Sequence, residues 1–296
     1  MRRLDHKYIA ILLILLFSQA LGQGTVKIPN DRKTINFIVI SDVHISNDKS
    51  KDERLMQLVE MVNAPEKSVD FLVITGDLVS SIFVAGKERS DGNNRLLKAV
   101  QILKNLKIPF FPVMGNHDYK IDNAKDSDAS FSIGEIDSAE NIWIKTTGFK
   151  SYYCVLVKNC SFVFLNSMRG RPNGKFFDEE QLNWFEDILY NSECVIIFTH
   201  HPPLDERVLF SGKNFITPWV ENRFFELLRK YKSKIKSIFC GHIHKKLFYR
   251  IFDQIPVYVS DSFGESKKAH LFYVQIKSGK TCKVIVNTKN VDLWSE

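Results

Sequence analysis

Four consecutive residues, Gly115–Asn116–His117–Asp118, place an amide oxygen, an imidazole and a carboxylate directly behind a glycine. They follow the apolar run Ile108–Met114, which predicts a short buried strand. The glycine allows a sharp turn, so the next three side chains should lie at the C-terminal edge of that strand. Such a group could bind a metal ion and exchange protons with a substrate. Asn-His-Asp is equally typical of an ordinary turn, so this motif alone leaves both interpretations open.

Polar residues of the same kind follow other apolar runs, and strand ends are where layered α/β folds build their sites. Together they comprise two aspartates, one asparagine and four histidines, namely Asp42, His44, Asp77, Asn116, His200, His242 and His244. This mixture of oxygen and nitrogen ligands suits Zn, Mn or Fe and poorly suits Ca or Mg alone. Seven ligands are too many for one transition metal, whereas two metals that share one bridging carboxylate would have four protein ligands each.

In their order along the chain, these motifs resemble those of the calcineurin-like metallophosphoesterase superfamily. The segments that carry the resemblance are Asp42-Val43-His44, Gly76-Asp77, Gly115-Asn116-His117-Asp118, His200 and Gly241-His242-Ile243-His244. The match extends from about Asn36 to Val286, and five ordered segments are far more specific than any one of them. The resemblance implies an α/β fold, a four-layer αββα sandwich of two mixed β-sheets flanked by helices.

The resemblance also implies a role for each site residue. One of two divalent transition metal ions (Mn, Zn or Fe) would bind Asp42, His44 and His244; the second would bind Asn116, His200 and His242; and Asp77 would bridge both. His117 would face the substrate and stabilise or protonate the leaving oxygen, and Asp118 would orient its ring. The neighbouring His201 is expected to pack under Pro202 and not to bind metal.

The chemistry of a phosphoester supports these roles independently. Two adjacent cations lower the pKa of a bridging water and clamp two phosphoryl oxygens, so the attack can proceed in line with the leaving group. The reaction then needs electrostatic stabilisation and one proton donor, which His117 can supply. A covalent phospho-enzyme is unnecessary, and the sequence contains no Cys-x5-Arg loop that would indicate one. We therefore expect a metal-dependent phosphoric ester hydrolase.

Departures from two subfamilies narrow the substrate. Purple acid phosphatases have a tyrosine ligand shortly after the bridging aspartate, where this chain has Leu78-Val79-Ser80-Ser81. The Asp-Arg pair and the glutamate after Asn-His that mark Ser/Thr protein phosphatases are also missing. We expect a phosphodiesterase of the cyclic nucleotide or glycerophosphodiester type. The alternatives are a secreted phosphomonoesterase and, more remotely, a metal-dependent module that binds phosphorylated ligands without turnover.

Few cations outside the metal motif are available to bind additional negative charge on a substrate. The candidates are Arg169, Arg171, Arg207 and Lys213. Arg169 and Arg171 could bind a second phosphate or a carboxylate, or could belong to a solvated loop. A monoester dianion needs such added charge, whereas a diester carries one negative charge and needs space for a second organic group. This scarcity of cations also favours a diester.

The elements that must position these residues follow from hydrophobic periodicity. The first half predicts a β-α-β-α-β order with parallel strands, over Thr34–Ile40, Asp52–Val62, Val69–Thr75, Asn94–Leu106 and Ile108–Met114. Later helices are predicted at Asp178–Tyr190, with Asp178 and Gln181 as a capping box, and from Thr217-Pro218 to about Lys232. Later strands are predicted at Ser151–Val157, Cys160–Ser167, Glu193–Phe198, Ile235–Phe239, Leu247–Phe252, Val257–Ser260, His270–Ile276 and Cys282–Asn287. The stretches Tyr119–Lys150 and Leu204–Ile216 are expected to be irregular.

Residues 1–22 differ from the rest of the chain. Arg2, Arg3 and Lys7 precede the short apolar run Tyr8–Phe17, and Ala20-Leu21-Gly22 offers a cleavage site. This pattern predicts a secretory signal peptide, with an uncleaved N-terminal anchor as the alternative. We expect residues 23–296 to form a single metallophosphoesterase domain, with its motifs in a core of about 34–286. The protein should then be secreted or extracytoplasmic, with no membrane contact beyond the signal segment.

Charge gives weaker information about partners. The net charge is +7, and without residues 1–22 the chain has 38 basic and 33 acidic residues, a net charge of +5. A modestly basic surface favours anionic substrates and also improves solubility. Proteins that bind nucleic acids often have a basic surface interleaved with aromatic residues, and the sequence does not show this pattern. We expect a small-molecule phosphoester as the partner, and the sequence leaves the oligomeric state open.

The odd number of cysteines leaves at least one free thiol in a monomer, and no close pair has the spacing of a metal finger. They are Cys154, Cys160, Cys194, Cys240 and Cys282. Ser151–Val157 and Cys160–Ser167 should form a hairpin in which Cys154 faces Val163 and Cys160 faces Val157. The two sulfurs would point to opposite faces, so no disulfide is expected between them. Cys240 is interpreted as a small buried strand residue and not as a metal ligand.

Overall fold

The structure is a computed structural model that describes residues 23–26, 34–64, 68–122, 131–203, 222–277 and 282–291. Helices within these ranges are α1 Lys49–Asn63, α2 Arg95–Leu103, α3 Ile133–Thr147, α4 Glu179–Asn191 and α5 Asn222–Lys230. Strands are β1 Gln23–Val26, β2 Thr34–Ile40, β3 Phe71–Thr75, β4 Phe110–Val113, β5 Tyr153–Val157, β6 Cys160–Leu165, β7 Cys194–Thr199, β8 Ile235–Cys240, β9 Leu247–Ile251, β10 Ile255–Val259, β11 Ala269–Lys277 and β12 Lys283–Val291. Short 3₁₀ turns lie at Asp91–Asn93, His117–Tyr119 and Arg171–Asn173.

One sheet has five strands in the order β12-β11-β2-β3-β4. Strands β2, β3 and β4 are parallel, as the β-α-β-α-β pattern predicted, and β11 and β12 are added antiparallel. Because both faces of this sheet are buried, β3 is apolar along most of its length and does not alternate with polar residues. The parallel arrangement brings the carboxyl ends of β2, β3 and β4 to the same edge.

The second sheet has seven strands in the order β1-β5-β6-β7-β8-β10-β9. Strands β6, β7 and β8 are parallel, so the carboxyl ends of β7 and β8 also share one edge. The predicted hairpin register is confirmed, since Cys154 pairs with Val163 and Val157 pairs with Cys160. Cys154 is a free buried thiol, in agreement with the expected absence of a Cys154–Cys160 disulfide.

Three apolar clusters separate four layers. Phenylalanines dominate the cluster between the two sheets, where the rings of Phe37 and Phe71 stack at 4.9 Å and those of Phe164 and Phe198 at 4.8 Å. Helices α1, α2 and α3 cover the outer face of the five-stranded sheet, with Trp143 of α3 fully buried there. Helices α4 and α5 cover the seven-stranded sheet. The four-layer αββα sandwich is therefore confirmed.

Helix α3 corrects the expectation that Tyr119–Lys150 is irregular throughout. It begins at a capping box between Ser132 and Glu135, ends at Gly148, and buries Ile136 and Trp143. Its apolar residues are widely spaced among acidic and polar ones, which concealed the helical period. Residues 123–130 of the predicted loop lie outside the described residues.

The predicted capping box of α4 is half correct. Asp178 accepts a hydrogen bond from the backbone N of Gln181, but the Gln181 side chain bonds Asn166 and not the cap. Gln181 is fully buried and exchanges one hydrogen bond with each backbone group of Asn166, which fixes α4 to the end of β6. At this position a buried glutamine therefore satisfies the hydrogen-bonding groups of the backbone.

Several predictions about the chain lie outside the described residues. These are the signal segment, the connection Leu204–Ile216 with Arg207 and Lys213, and the helix start at Thr217-Pro218; α5 is described from Asn222. Strand β1 pairs in parallel with β5 and was not predicted. Among the helices that the structure does describe, none has the length and apolar character needed to cross a membrane.

Candidate metal centre

The predicted ligands all follow the carboxyl ends of β2, β3, β4, β7 and β8. Among the described non-glycine residues, eight have positive φ, and five of them are predicted metal ligands: Asp42 (54°), His44 (53°), Asp77 (51°), His242 (73°) and His244 (50°). Left-handed backbone is costly for residues with a side chain and concentrates where function requires it. Five of the seven residues that the sequence motifs predicted as ligands therefore have this costly backbone conformation.

Glycines allow these loops to approach one another. A Cβ atom at Gly115 would collide with the carboxylate and backbone of Asp77, and one at Gly241 would collide with the side chains of Ser41 and Asp42. The loops are also joined by backbone hydrogen bonds, including Asp42 N to Gly76 O at 3.1 Å. The two glycines of the motifs are thus required by close packing of the loops.

A first group of residues that could hold a metal ion comprises Asp42, His44, Asp77 and His244, whose potential ligand atoms all lie within 4.8 Å of one another. His244 Nε2 is 3.1 Å from His44 Nε2 and 3.2 Å from Asp42 Oδ1. Asp42 Oδ1 is buried and has no hydrogen-bond partner among the described residues. A buried carboxylate oxygen without a donor, facing two imidazole nitrogens, fits a metal ion.

A second group comprises Asn116, His200 and His242. Asn116 Oδ1 lies 2.8 Å from His200 Nε2 and 3.2 Å from His242 Nδ1. His200 Nδ1 lies 2.9 Å from the carbonyl of Thr75, which can only accept, so the ring proton belongs on Nδ1. The lone pair of Nε2 then faces the amide oxygen of Asn116, and a cation between the two atoms would resolve that contact.

Asp77 belongs to the first group and also faces the second. Its Oδ2 atom is 3.7 Å from His44 Nε2 in the first group and 3.3 Å from His200 Nε2 in the second. Its Oδ1 atom accepts a hydrogen bond from the backbone N of His117 at 2.8 Å. One carboxylate oxygen therefore faces both groups, while the other is fixed by the loop after β4.

The electrostatics of the site favours positive charge among these side chains. Burial alone would raise the pKa of Asp77, but His200 and His44 hold it well below its ordinary value. Burial, together with the neighbouring His200, lowers the pKa of His242 to about 3. Burial opposes a charge on His200, yet the Asp77 carboxylate prevails and raises the pKa of His200 to about 9. The carboxylates thus attract positive charge to the position that a metal would occupy.

His117 lies beside the first group and contributes no ligand atom to it. Its ring packs edge-on against the ring of His44, with centroids 4.6 Å apart. His117 Nδ1 lies 3.0 Å from the carbonyl of Ser80, which again places a proton on Nδ1. Its Nε2 has no hydrogen-bond partner among the described residues, so this atom is left for a substrate.

The expectation that Asp118 orients the His117 ring is wrong, because the backbone carbonyl of Ser80 is the group that contacts Nδ1 of that ring. The Asp118 carboxylate is fully buried and accepts three backbone hydrogen bonds, from Leu78 N (3.3 Å), Val79 N (3.1 Å) and Gly115 N (2.9 Å). Burial raises the pKa of Asp118 to about 7, and these N–H donors act in the opposite direction. Asp118 therefore fixes the loops after β3 and β4 to each other.

A family model for calcineurin-like phosphoesterases matches residues 35–246, which is more than half of the chain. The chain belongs to the calcineurin-like phosphoesterase family. It is therefore a metal-dependent phosphoric ester hydrolase.

Two curated relatives match this phosphoesterase over most of its length. A protein named "probable glycerophosphodiester phosphodiesterase" from Arcobacter nitrofigilis is 25% identical over 231 residues, covering 70% of this chain and 71% of the relative. A protein named "probable cyclic nucleotide phosphodiesterase" from Rhodopseudomonas palustris is 24% identical over 223 residues, covering 72% and 73%.

Solved structures share the fold. A dimetal phosphatase from Danio rerio has a TM-score of 0.57 at 14% identity and covers 86% of this chain and 96% of its own. Purple acid phosphatase from yellow lupin also has a TM-score of 0.57, at 13% identity, covering 90% of this chain and 53% of its own. At such low identity these likenesses show the architecture of the phosphoesterase and not its substrate.

The phosphoesterase site includes a carboxylate that the sequence motifs did not reveal. Glu265 Oε2 lies 3.0 Å from His244 Nδ1, and Lys51 Nζ lies 3.5 Å from Glu265 Oε1. The segment after β10 that carries Glu265 is held on the first ligand loop, since Phe263 N donates to Ser41 O at 2.9 Å. In the sequence, Glu265 could have been suspected only from the polar residues that follow β10.

His201 packs beside the metal centre but its nitrogens bond other residues. Its Nδ1 lies 2.7 Å from Ser167 Oγ, and its Nε2 lies 3.1 Å from Arg171 Nη2. Because a guanidinium can only donate, Nε2 is the acceptor and Nδ1 carries the proton. Burial keeps the pKa of His201 well below its ordinary value, so the ring stays neutral. Both nitrogens are engaged, in agreement with the expectation that His201 is not a ligand.

The two candidate arginines do not form a solvated loop. Arg169 Nη1 lies 2.8 Å from Glu140 and its Nε lies 2.6 Å from Asp178, with Glu180 at 3.5 Å from Nη2. Arg171 is 5% exposed and contacts His201. Cys240 is fully buried in the sheet, as expected.

Proposed function

We propose that this chain is an exported phosphodiesterase that works with two divalent transition metal ions, Mn, Zn or Fe. The observation that carries the dinuclear assignment is the position of Asp77, whose Oδ2 faces His44 on one side and His200 on the other. A carboxylate with two groups of ligands on either side suits a bridging role. Asp42, His44 and His244 would hold one ion, and the second would be held by Asn116, His200 and His242.

When bound, two such ions would bind phosphoryl oxygens and lower the pKa of the water that attacks phosphorus. The protein's own contribution is position and a proton. Asp77 anchors the backbone of His117 through Oδ1, which keeps that ring in register with the ligand groups. Ser80 holds Nδ1 of His117, so Nε2 of the protonated ring donates to the leaving oxygen.

Two observations and a charge argument support a diester as the substrate. The two curated relatives are named as phosphodiesterases, one of the glycerophosphodiester type and one of the cyclic nucleotide type. Arg169 is engaged by Glu140, Asp178 and Glu180, so its charge is already balanced inside the protein. A diester brings one negative charge to the site, which needs less added positive charge than the dianion of a monoester.

Arg171 favours the second candidate, a phosphomonoesterase. It is a buried cation that contacts His201, and the ring of His201 packs 4.2 Å from that of His242. A cation so near a metal ligand would help to bind a dianion. The alternative predicts that Arg171→Met lowers monoester turnover far more than diester turnover.

The deciding experiment compares kcat/KM for bis-p-nitrophenyl phosphate, p-nitrophenyl phosphate, a glycerophosphodiester and the 2′,3′- and 3′,5′-cyclic nucleotides, under Mn, Zn and Fe in turn. We expect a diester to be preferred under at least one metal. A preference for the monoester of more than about tenfold under every metal would refute the diester assignment, and the two-metal assignment would stand. Retention of full activity after rigorous metal removal would refute the two-metal assignment.

Export is the second part of the proposal. It rests on the signal pattern of residues 1–22, and five cysteines in a chain of this length are compatible with an oxidising compartment. N-terminal sequencing of the protein isolated from its native source should find a start near Gln23. An intact Met1 would support the anchor instead.

A further inference from the structure

Three cysteines that are distant in sequence meet on the side of the fold away from the metal centre. Cys160 and Cys194 are the first residues of the neighbouring parallel strands β6 and β7 and are paired in register. Cys282 directly precedes β12 and so approaches from the other sheet. The Sγ atom of Cys194 contacts the Sγ atoms of both others, and Cys160 Sγ and Cys282 Sγ are 3.0 Å apart.

A cysteine sulfur forms only one disulfide at a time, so Cys194 can be bonded to Cys160 or to Cys282 but not to both. The Cα–Cα distance is 4.6 Å for Cys160–Cys194 and 6.3 Å for Cys194–Cys282. Both distances fall within the range of about 4.4–6.8 Å that a disulfide spans without backbone movement. The backbone is therefore compatible with either bond, and either leaves a third thiol beside it.

The two bonds would have different consequences for the fold. A Cys160–Cys194 bond joins strands that are already hydrogen-bonded within one sheet. A Cys194–Cys282 bond would join the seven-stranded sheet to the start of β12, which is an edge strand of the five-stranded sheet. Val284 and Val286 of β12 pack against the apolar core between the sheets. The second bond would therefore fix this edge strand to the opposite layer.

We propose that Cys160, Cys194 and Cys282 form a thiol–disulfide exchange site, in which Cys194 is always bonded and the other two cysteines alternate as its partner. The first bond forms by exchange with a disulfide reagent, such as an oxidoreductase or an oxidised low-molecular-weight thiol. That reagent accepts two electrons and two protons and leaves as two thiols.

The alternation itself is redox-neutral. The thiolate of Cys282 attacks Cys194 Sγ, a new sulfur–sulfur bond forms, and the bond to Cys160 breaks. The departing Cys160 sulfur takes up the proton that Cys282 released. Cys282 is half-buried whereas Cys160 is 1% exposed, so Cys282 is the more accessible of the two thiols and is taken as the attacking one.

The same three sulfurs could instead hold a soft metal ion. A structural zinc site has four protein ligands, whereas this group offers three among the described residues. Exchange needs only these three sulfurs and is the better match to the site.

Differential alkylation of the full chain, purified without reductant, tests the proposal. Free thiols are labelled with N-ethylmaleimide in denaturant at mildly acidic pH, disulfides are then reduced and labelled with iodoacetamide at alkaline pH, and peptides are measured by mass spectrometry. We expect Cys194 to carry the iodoacetamide label in nearly every molecule, while N-ethylmaleimide is divided between Cys160 and Cys282. N-ethylmaleimide on all three, on one partner only, or bound zinc or copper released by a thiol-blocking mercurial would refute it.

Single variants provide an independent test. Cys160→Ser and Cys282→Ser should each retain one disulfide through Cys194, so adding a phosphine reductant should lower the Tm of both. The reductant-induced shift should be larger for Cys160→Ser by roughly 2 °C, because its bond closes 88 residues and not 34. Cys154→Ser removes a buried thiol outside the site and should behave like the parent protein. Absence of a disulfide in either folded variant would contradict the exchange.

Discussion

Glu265 should determine how tightly the first ligand group holds its metal. Its carboxylate lies 3.0 Å from His244 Nδ1, so the ring proton is held on Nδ1 and the lone pair of Nε2 is directed toward Asp42 and His44. His244 is 36% exposed, the most exposed of the predicted histidine ligands whose side chains make ion pairs. Without Glu265, its ring can rotate or bind its proton on the wrong nitrogen.

The magnitude follows from the exposure of the pair. A carboxylate that orients a ligating histidine typically contributes 10–100-fold in metal affinity. Glu265 is 46% exposed and also contacts Lys51, so solvent screens the interaction and the lower end applies. We therefore expect Glu265→Gln to weaken metal binding by about tenfold, or about 1.4 kcal/mol. Glutamine keeps the size and removes the charge, so the change reports the carboxylate.

The measurement is metal affinity and does not depend on turnover. Apo-protein is titrated with Zn or Mn against a chromophoric chelator, and the parent is compared with Glu265→Gln and with Glu53→Gln. Glu53 is an exposed residue of α1 and provides the same change in net charge. We expect one class of site to weaken in Glu265→Gln only. Equal affinities in all three proteins would refute the orienting role, and no metal binding in the parent would refute the proposed function itself.

Four further outcomes are expected. Asp77→Ala should release metal from both groups, whereas Asn116→Ala should release it only from the second; metal analysis of dialysed protein checks this, and equal losses would argue against bridging. His117→Ala should retain its metal and lose roughly 10²–10⁴-fold in kcat on a substrate with a poor leaving group; an unchanged kcat would remove His117 from the mechanism. Asp118→Asn should destabilise the metal-free protein by about 1.5–3 kcal/mol, because either orientation of the amide leaves a backbone N–H facing another donor; denaturant unfolding measures this, with the exposed Asp187→Asn as control.

Much of the fold follows from local patterns. The parallel strands β2, β3 and β4 are mostly apolar and are followed by polar residues, so their ends and hence the predicted ligands could be located from the sequence. Helix α3 was missed because it buries one face, with Trp143 as its anchor, and presents acidic residues elsewhere. Its burial depends on contacts with the five-stranded sheet, which periodicity alone does not supply.

The neighbours of the site were less predictable than its ligands. Asp118 stands next to His117 in sequence, which suggested that it orients the ring, yet the 3₁₀ turn at His117–Tyr119 directs its carboxylate to backbone N–H groups of another loop. Glu265 and the three-cysteine cluster depend on which strand ends meet across two sheets. Strand order and register decide this, and no spacing along the chain encodes them.

The left-handed ligands explain why the site needs so many supports around it. Asp42, His44 and Asp77 each adopt a backbone conformation that costs of order 1 kcal/mol or more for a residue with a side chain, so the loops would relax if nothing held them. Asp118 holds the loop after β3, and Ser262 and Gly264 donate hydrogen bonds to the carbonyl of Asp42 at 2.9 Å each. Residues that touch no substrate thereby maintain the strain that directs the ligands inward. Their removal should loosen metal binding even where every ligand remains.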